Sequence, residues 1–196
     1  MEFSLTSDLT SVSDFGHGIL NLFRGKPTFV YPVPPAPATA ILVPWFISRG
    51  NARVVDPRVF ENGWDPEAVA FRPAAIAATW PQLESLLAAK STSLTHALIV
   101  LGRPSDPLLT GQQRQRLWQA FRVPIFEQII GYNGAFLAAE CEAHAGLHVE
   151  SPQLEAPMFN TGEYFIEDAP CGCGRKTPRI LSAPPLEKVR AAASMR

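Results

Sequence analysis

The sequence predicts an α/β fold, with a mostly parallel sheet in its core and an antiparallel β extension after it. Three observations carry this. A nearly continuous apolar run at 95–101 (THALIVL) ends at Gly102, the pattern of a strand covered on both faces. A helical segment at 112–121 and another apolar run at 123–131 follow, which makes a right-handed β-α-β crossover between 95 and 131. Beyond Gly134 the helical period disappears, and short apolar runs at 135–141, 147–150, 164–167 and 179–181 alternate with Gly, Pro and Asn.

Composition bounds the rest. The 196 residues correspond to one domain, or one domain with an appendage. Hydrophobic residues are 46% and charged residues 18%, enough apolar material for a core and too little charge for a disordered chain. Net charge is −1, so no global field recruits nucleic acid or an anionic membrane. The 19 prolines limit regular helix and central strand and predict long loops. Three cysteines are too few for a disulfide framework, and their odd number favours a reducing compartment or a metal. The first thirty residues lack a basic segment before an apolar run, and the longest apolar stretch, 36–47, is broken by Pro37 and Pro44. A soluble, cytoplasmic protein with no membrane association is expected.

Taken in order, residues 1–38 form an arm and a proline-rich connector. Ser, Thr and Asp dominate 1–14, and Pro32, Pro34, Pro35 and Pro37 impose an extended course after Phe29 and Tyr31. The α/β core is expected over 39–134. Runs at 40–43 and 52–55, separated by Ser48, Arg49, Gly50 and Asn51, read as strand, turn, strand, with Asp56 and Pro57 stopping the second. A loop containing Trp64, Pro66 and Pro73 follows. Thr79 is placed to cap a helix with Pro81 in its first turn, and Leu83, Leu86 and Leu87 recur at helical spacing. In the next strand His96 reads as a core residue. On the helix at 112–121, Leu117, Ala120 and Phe121 face inward, with Arg114 and Arg116 outside. The β extension spans 135–183 and a tail 184–196.

Chemistry concentrates in the extension. Cys141, six residues, His148, twenty-two residues, Cys171, one residue and Cys173 supply three thiolates and an imidazole, the donor set of a closed, structural zinc site. Gly172 and Gly174 let the backbone turn so that two sulfurs reach one ion. His144 competes for the fourth position: a helix after Cys141 would favour His144, separate strands His148. Free cysteines and a core thiol at Cys141 are the alternative. Zn²⁺ would stabilise a proline-rich segment that could hardly fold on apolar burial alone.

Other features are less specific. Arg175, Lys176 and Arg179 follow the CGC segment and could meet phosphate or nucleic acid, though a solvated face explains them more simply. Glu127 shares a face with Val123, Ile125 and Ile129, near the carboxyl end of a parallel strand, where α/β proteins place functional groups. An arginine-paired carboxylate is the plain alternative. Gly131, Tyr132, Asn133 and Gly134 form a turn. Gly-x-Ser-x-Gly, P-loop, Gly-x-Gly-x-x-Gly and His-Glu-x-x-His motifs are absent.

The stretch from His96 to Arg179 resembles part of the adenylate-forming enzymes, in their phenylacetate–CoA ligase branch. VPIFEQIIGYNGAFLAAECEAHAGLHVE is similar to the segment that carries the family's Tyr-Gly-x-Thr-Glu motif, a Glu-Cys pair and a Gly-Leu-His. TGEYFIED resembles its Gly-Glu-led strand, CGCGRKTPRI its Cys-x-Cys-Gly-Arg segment, and LIVLGRPSDPLLTGQQRQRLWQAF the strand and helix before the motif. The resemblance implies a partial adenylate-forming core with a zinc-stapled antiparallel extension. It also marks departures. Where the family has the threonine that meets phosphate and the glutamate that holds Mg²⁺, this chain has IIGYN or GYNGA, and GKPT at 25–28 resembles only the tail of the phosphate loop. Mg·ATP is therefore not expected to bind.

These readings converge on a zinc-binding, ATP-site-deficient relative of those ligases, acting as a binding or accessory protein. One alternative is a ligase-like subunit that activates a small carboxylic acid with a partner chain, using Glu127, Gly131, Tyr132, Asn133 and Gly134. Another is a zinc-knuckle nucleic-acid binder. A protein partner or a homo-oligomer fits the first two.

Overall fold

The computed structural model describes residues 29–47, 57–89, 93–152, 154 and 164–182. These form a nine-stranded sheet with three helices. In chain order the elements are β1 (Thr39–Ile41), β2 (Arg58–Val59), α1 (Pro66–Phe71), β3 (Ala75–Ala78), α2 (Trp80–Ala89), β4 (Ala97–Gly102), α3 (Gly111–Phe121), β5 (Ile125–Ile130), β6 (Phe136–Glu140), β7 (Leu147–Val149), β8 (Tyr164–Glu167) and β9 (Arg179–Ser182). Strand order is β2-β1-β3-β4-β5-β6-β7-β9-β8. The first five strands are parallel and the last four antiparallel, so core and extension share one continuous sheet.

Each element has a local cause. Asp65 caps α1 by accepting from the Ala68 N–H, with Pro66 at the first helical position. Thr110 and Gln113 form a reciprocal capping box on α3, a signal that needs only the sequence Thr-x-x-Gln. The Thr79 N–H and hydroxyl both bond to Gln82 Oε1 at 3.0 Å, closing the start of α2. β4 and β5 are buried on both faces, and Leu98 and Ile99 are fully enclosed.

The two faces of the sheet are covered differently. Leu83, Leu86, Leu117 and Phe121 from the helices pack with Ala40, Ile76, Leu98 and Val100 on one face. On the other, Ile41, Ala77, Ile99, Leu101, Phe126 and Ile130 lie under Phe29, Val43 and Phe46, with Tyr31 and Val33 at the margin. Among the described residues, the chain at 29–46 thus does there what a second helix layer does in doubly wound folds. Phe29 and Phe46 meet edge to face at 5.4 Å.

Several expectations change. The expected strand at 52–55 lies outside the described residues, as do 1–14, GKPT and the tail 184–196. The neighbour of β1 is β2, which begins just after Pro57 and runs parallel to β1 rather than back along it. Helix α1 and strand β3 occupy what reads as a proline-bounded loop. The AIAA of β3 has little strand propensity; complete burial between β1 and β4 makes it one. His96 precedes β4 and is exposed, bonded through Nδ1 to Thr95. Arg114 folds inward, because two buried carboxylates lie within its reach.

Candidate metal centre and the Glu127 cavities

Cys141 follows β6 directly, His148 sits in β7, and Cys171 and Cys173 lie in the turn leading to β9. Antiparallel pairing of β6 with β7 and of β7 with β9 brings these distant positions together. One donor atom from each of Cys141, His148, Cys171 and Cys173 lies within 4.8 Å of all the others. The Sγ atoms of Cys141 and Cys171 are 3.7 Å apart, and Cys173 Sγ is 3.4 Å from His148 Nε2.

The donor set can hold a metal ion. Cys141, Cys171 and His148 are buried, so a cation there is shielded from water. His148 Nδ1 is 2.8 Å from Thr177 Oγ1, an outer contact that orients the ring with Nε2 toward the sulfurs. The Cys171 N–H to Arg175 and Gly174 N–H to Cys171 bonds close the CGCG turn. A hydrogen bond from the Cys173 N–H holds the Cys171 thiol below its ordinary range, while burial pushes Cys141 up. A ligated cation favours the thiolate at every sulfur. His144 is elsewhere: its ring lies 4.9 Å from that of Phe126, with Nδ1 3.4 Å from Glu140 Oε1. The chain turns at Cys141 rather than continuing as helix, which swings His144 off the cluster.

Glu127 belongs to a second assembly. Its Oε1 accepts from the Leu109 N–H at 2.9 Å and its Oε2 from Arg114 at 2.9 Å. Arg114 also donates to Glu140 Oε2, which takes the Glu127 N–H. Both carboxylates are 4% exposed and share one guanidinium. Burial pushes the Glu127 carboxyl up to about 7, against the pull of Leu109 N–H and Arg114. The residue lines two cavities: one of about 410 Å³ shared with Arg114, Glu140, His144 and Arg179, and one of about 320 Å³ beside the first turns of α2 and α3.

The Gly131–Gly134 turn stands apart and lines neither cavity. The N–H groups at its two ends and just after it are used internally. The Gly131 N–H bonds Ala135 O, the Gly134 N–H bonds Gly131 O, and the Ala135 N–H bonds Asn133 Oδ1. Arg103 donates to Gly131 O at 2.5 Å while its guanidinium lies 3.6 Å over the Trp45 ring. Tyr132 is exposed and its hydroxyl is 2.6 Å from Ser105 Oγ. The basic cluster after the CGC segment is dispersed: Arg175 pairs with Glu150 at 2.7 Å, and Arg179 is buried against Glu167 and Ala145 O. Glu127 is thus the arginine-paired carboxylate that the sequence offered as the plain alternative, while the identity of its partners, Arg114 and Glu140, escapes sequence reading, since nothing in a helix pattern says which arginine will turn inward.

No family model and no curated protein matches the sequence. Among solved structures the fold is similar to the crystal structure of an open conformation of 2-hydroxyisobutyryl-CoA ligase in complex with 2-HIB-AMP and CoA. The TM-score is 0.50 at 14% identity, covering 76% of this chain and 45% of that one. The chain thus spans less than half the length of the ligase. The likeness is one of fold alone.

Proposed function

We propose that this chain is a metal-stapled relative of the phenylacetate–CoA ligase branch that has given up nucleotide chemistry and serves as a binding or accessory protein. The supporting observation is the state of the Gly131–Gly134 turn. Phosphate recognition at such a place requires free backbone N–H groups or a hydroxyl. Here the N–H groups of Gly131, Gly134 and Ala135 are engaged within the turn, and Arg103 is held by two carbonyls and Trp45. No acidic side chain stands at 131–134 to hold Mg²⁺. The Cys141, His148, Cys171, Cys173 set would take Zn²⁺, whose preference for mixed thiolate and imidazole donors in a closed tetrahedron suits this donor list. Its role would be structural, because all four positions are filled by protein.

Calorimetric titration of the zinc-loaded protein with Mg·ATP tests this reading. No heat is expected at millimolar nucleotide. Saturable binding in the micromolar range would overturn it and favour the second reading, a ligase-like subunit completed by a partner chain, which rests on the fold likeness to the CoA ligase. The engagement of Arg175 and Arg179 in ion pairs leaves little support for a nucleic-acid role.

A further inference from the structure

The cavity of about 320 Å³ lies outside the carboxyl ends of β3 and β4, between the first turns of α2 and α3, where open α/β sheets admit ligands. Its size falls at the lower end of the range of small-molecule sites, about 300–1,000 Å³. Trp80, Pro81, Val100, Leu101, Pro107 and Leu109 give it a mainly apolar wall. Among the described residues its ionisable side chains are Asp106 and Glu127, and no Lys, Arg or His lines it.

That charge pattern selects. Helix N-termini ordinarily attract anions; at these two, Gln82 Oε1 takes the Thr79 N–H, Gln113 Oε1 the Thr110 N–H, and Thr110 Oγ1 the Gln113 N–H. Among the described residues, the charged side chains that line the slot are carboxylates. A carboxylate ligand would be placed beside like charge in an apolar slot, and the guanidinium that pairs with Glu127, that of Arg114, is already shared with Glu140. A cationic or hydrogen-donating head finds acceptors on Glu127, whose Oε1 takes the Leu109 N–H and Oε2 Arg114, and on Asp106, whose Oδ2 takes the Arg103 N–H, because each carboxylate oxygen can accept more than one bond. Trp80 adds an aromatic wall that attracts cations.

From this geometry we infer that the slot between α2 and α3 is a binding site for a small amine, an apolar or aromatic body with an ammonium head directed at Glu127 and Asp106. This rests on the binding-protein reading above and gives it a ligand class; it also runs counter to a carboxylic acid as the bound species.

The test compares a matched pair, 2-phenylethylamine and phenylacetate, titrated by calorimetry into the zinc-loaded protein at pH 7.5, with amide shift mapping. Saturable amine binding at least tenfold tighter than phenylacetate is expected, with shifts at Val100, Leu109 and Gln113. Glu127→Gln should weaken the amine at least fivefold. Asp106→Asn, on an exposed loop where the amide oxygen can still accept from the Arg103 N–H, should weaken it about threefold and keeps the test meaningful if the first variant folds poorly. Equal or tighter binding of phenylacetate, no saturable amine binding, or an affinity unchanged in Asp106→Asn would overturn the inference. Mg·ATP binding to the same sample would overturn the accessory reading while leaving the amine result to stand or fall by itself.

Discussion

At the residue scale, Glu127 shows how burial and pairing compete. An unfolded glutamate titrates near 4.5 and this one near 7, because removing a carboxylate from water outweighs one arginine shared with Glu140. Between those values the folded chain holds more protons than the unfolded one, so this group's contribution is fully present below pH 4.5 and is lost as pH rises through 7. In the limit it is worth on the order of 3 kcal/mol. Glu127→Gln imitates the protonated form, so the variant should cost less stability at pH 8 than at pH 5. Urea midpoints at the two values measure this; an equal cost at both would show that the carboxyl titrates as an ordinary one. Arg114→Met should be worse than either, about 3 kcal/mol or more, because it leaves two buried carboxylates without their cation. Thermal denaturation at pH 8 checks it, and a loss under 1 kcal/mol would mean that water replaces the guanidinium.

Pairing of β7 with β9 is the step at the element scale that assembles the Cys/His cluster. It depends on Gly146, just before β7, where φ is +100° and a Cβ would stand 2.3 Å from Leu181 Cδ2 and 2.7 Å from Ile180 O. A side chain there combines left-handed strain with contact against backbone that cannot move aside. Gly146→Ala is expected to cost about 2 kcal/mol or more and to weaken metal retention, since His148 is two residues on. Denaturant midpoint and zinc content after dialysis are the measurements; wild-type values for both would remove the close approach from the account. Helix α3 illustrates the opposite case, because its capping box is specified by Thr110 and Gln113 alone.

For the whole molecule, apolar burial is divided unevenly between the parallel core and the extension. The parallel core buries Ile76, Leu98, Ile99 and Leu117 completely and has helices on one face. Among its described residues the extension has short strands, half-exposed Phe165 and Ile166 at its β8 edge, and a smaller apolar cluster built on Leu137, Ala138, Leu147 and Ile180. A metal ion would supply there what apolar burial does not. Chelation should therefore lower Tm by about 10 °C or more and strip hydrogen-exchange protection from β7 and β9 before β4 and β5. An unchanged Tm after complete zinc removal would end the staple hypothesis. Among the described residues no helix is long and apolar enough to cross a membrane.

The α/β class, the crossover from β4 through α3 to β5, and the β8 span are legible in the sequence because each rests on local periodicity and capping. The cysteines of the cluster were legible too, since residue type and spacing limit what three thiols and a histidine can do. What only the tertiary structure decided is whatever depends on pairing across distance. The gathering of His148, which the strand reading already favoured over His144, with the three sulfurs follows from β6 and β7 running antiparallel; the strand character of β3 follows from its neighbours; the inward turn of Arg114 follows from two carboxylates on adjacent strands. Local sequence sets which conformations are cheap, and burial then selects among them according to partners that lie far along the chain.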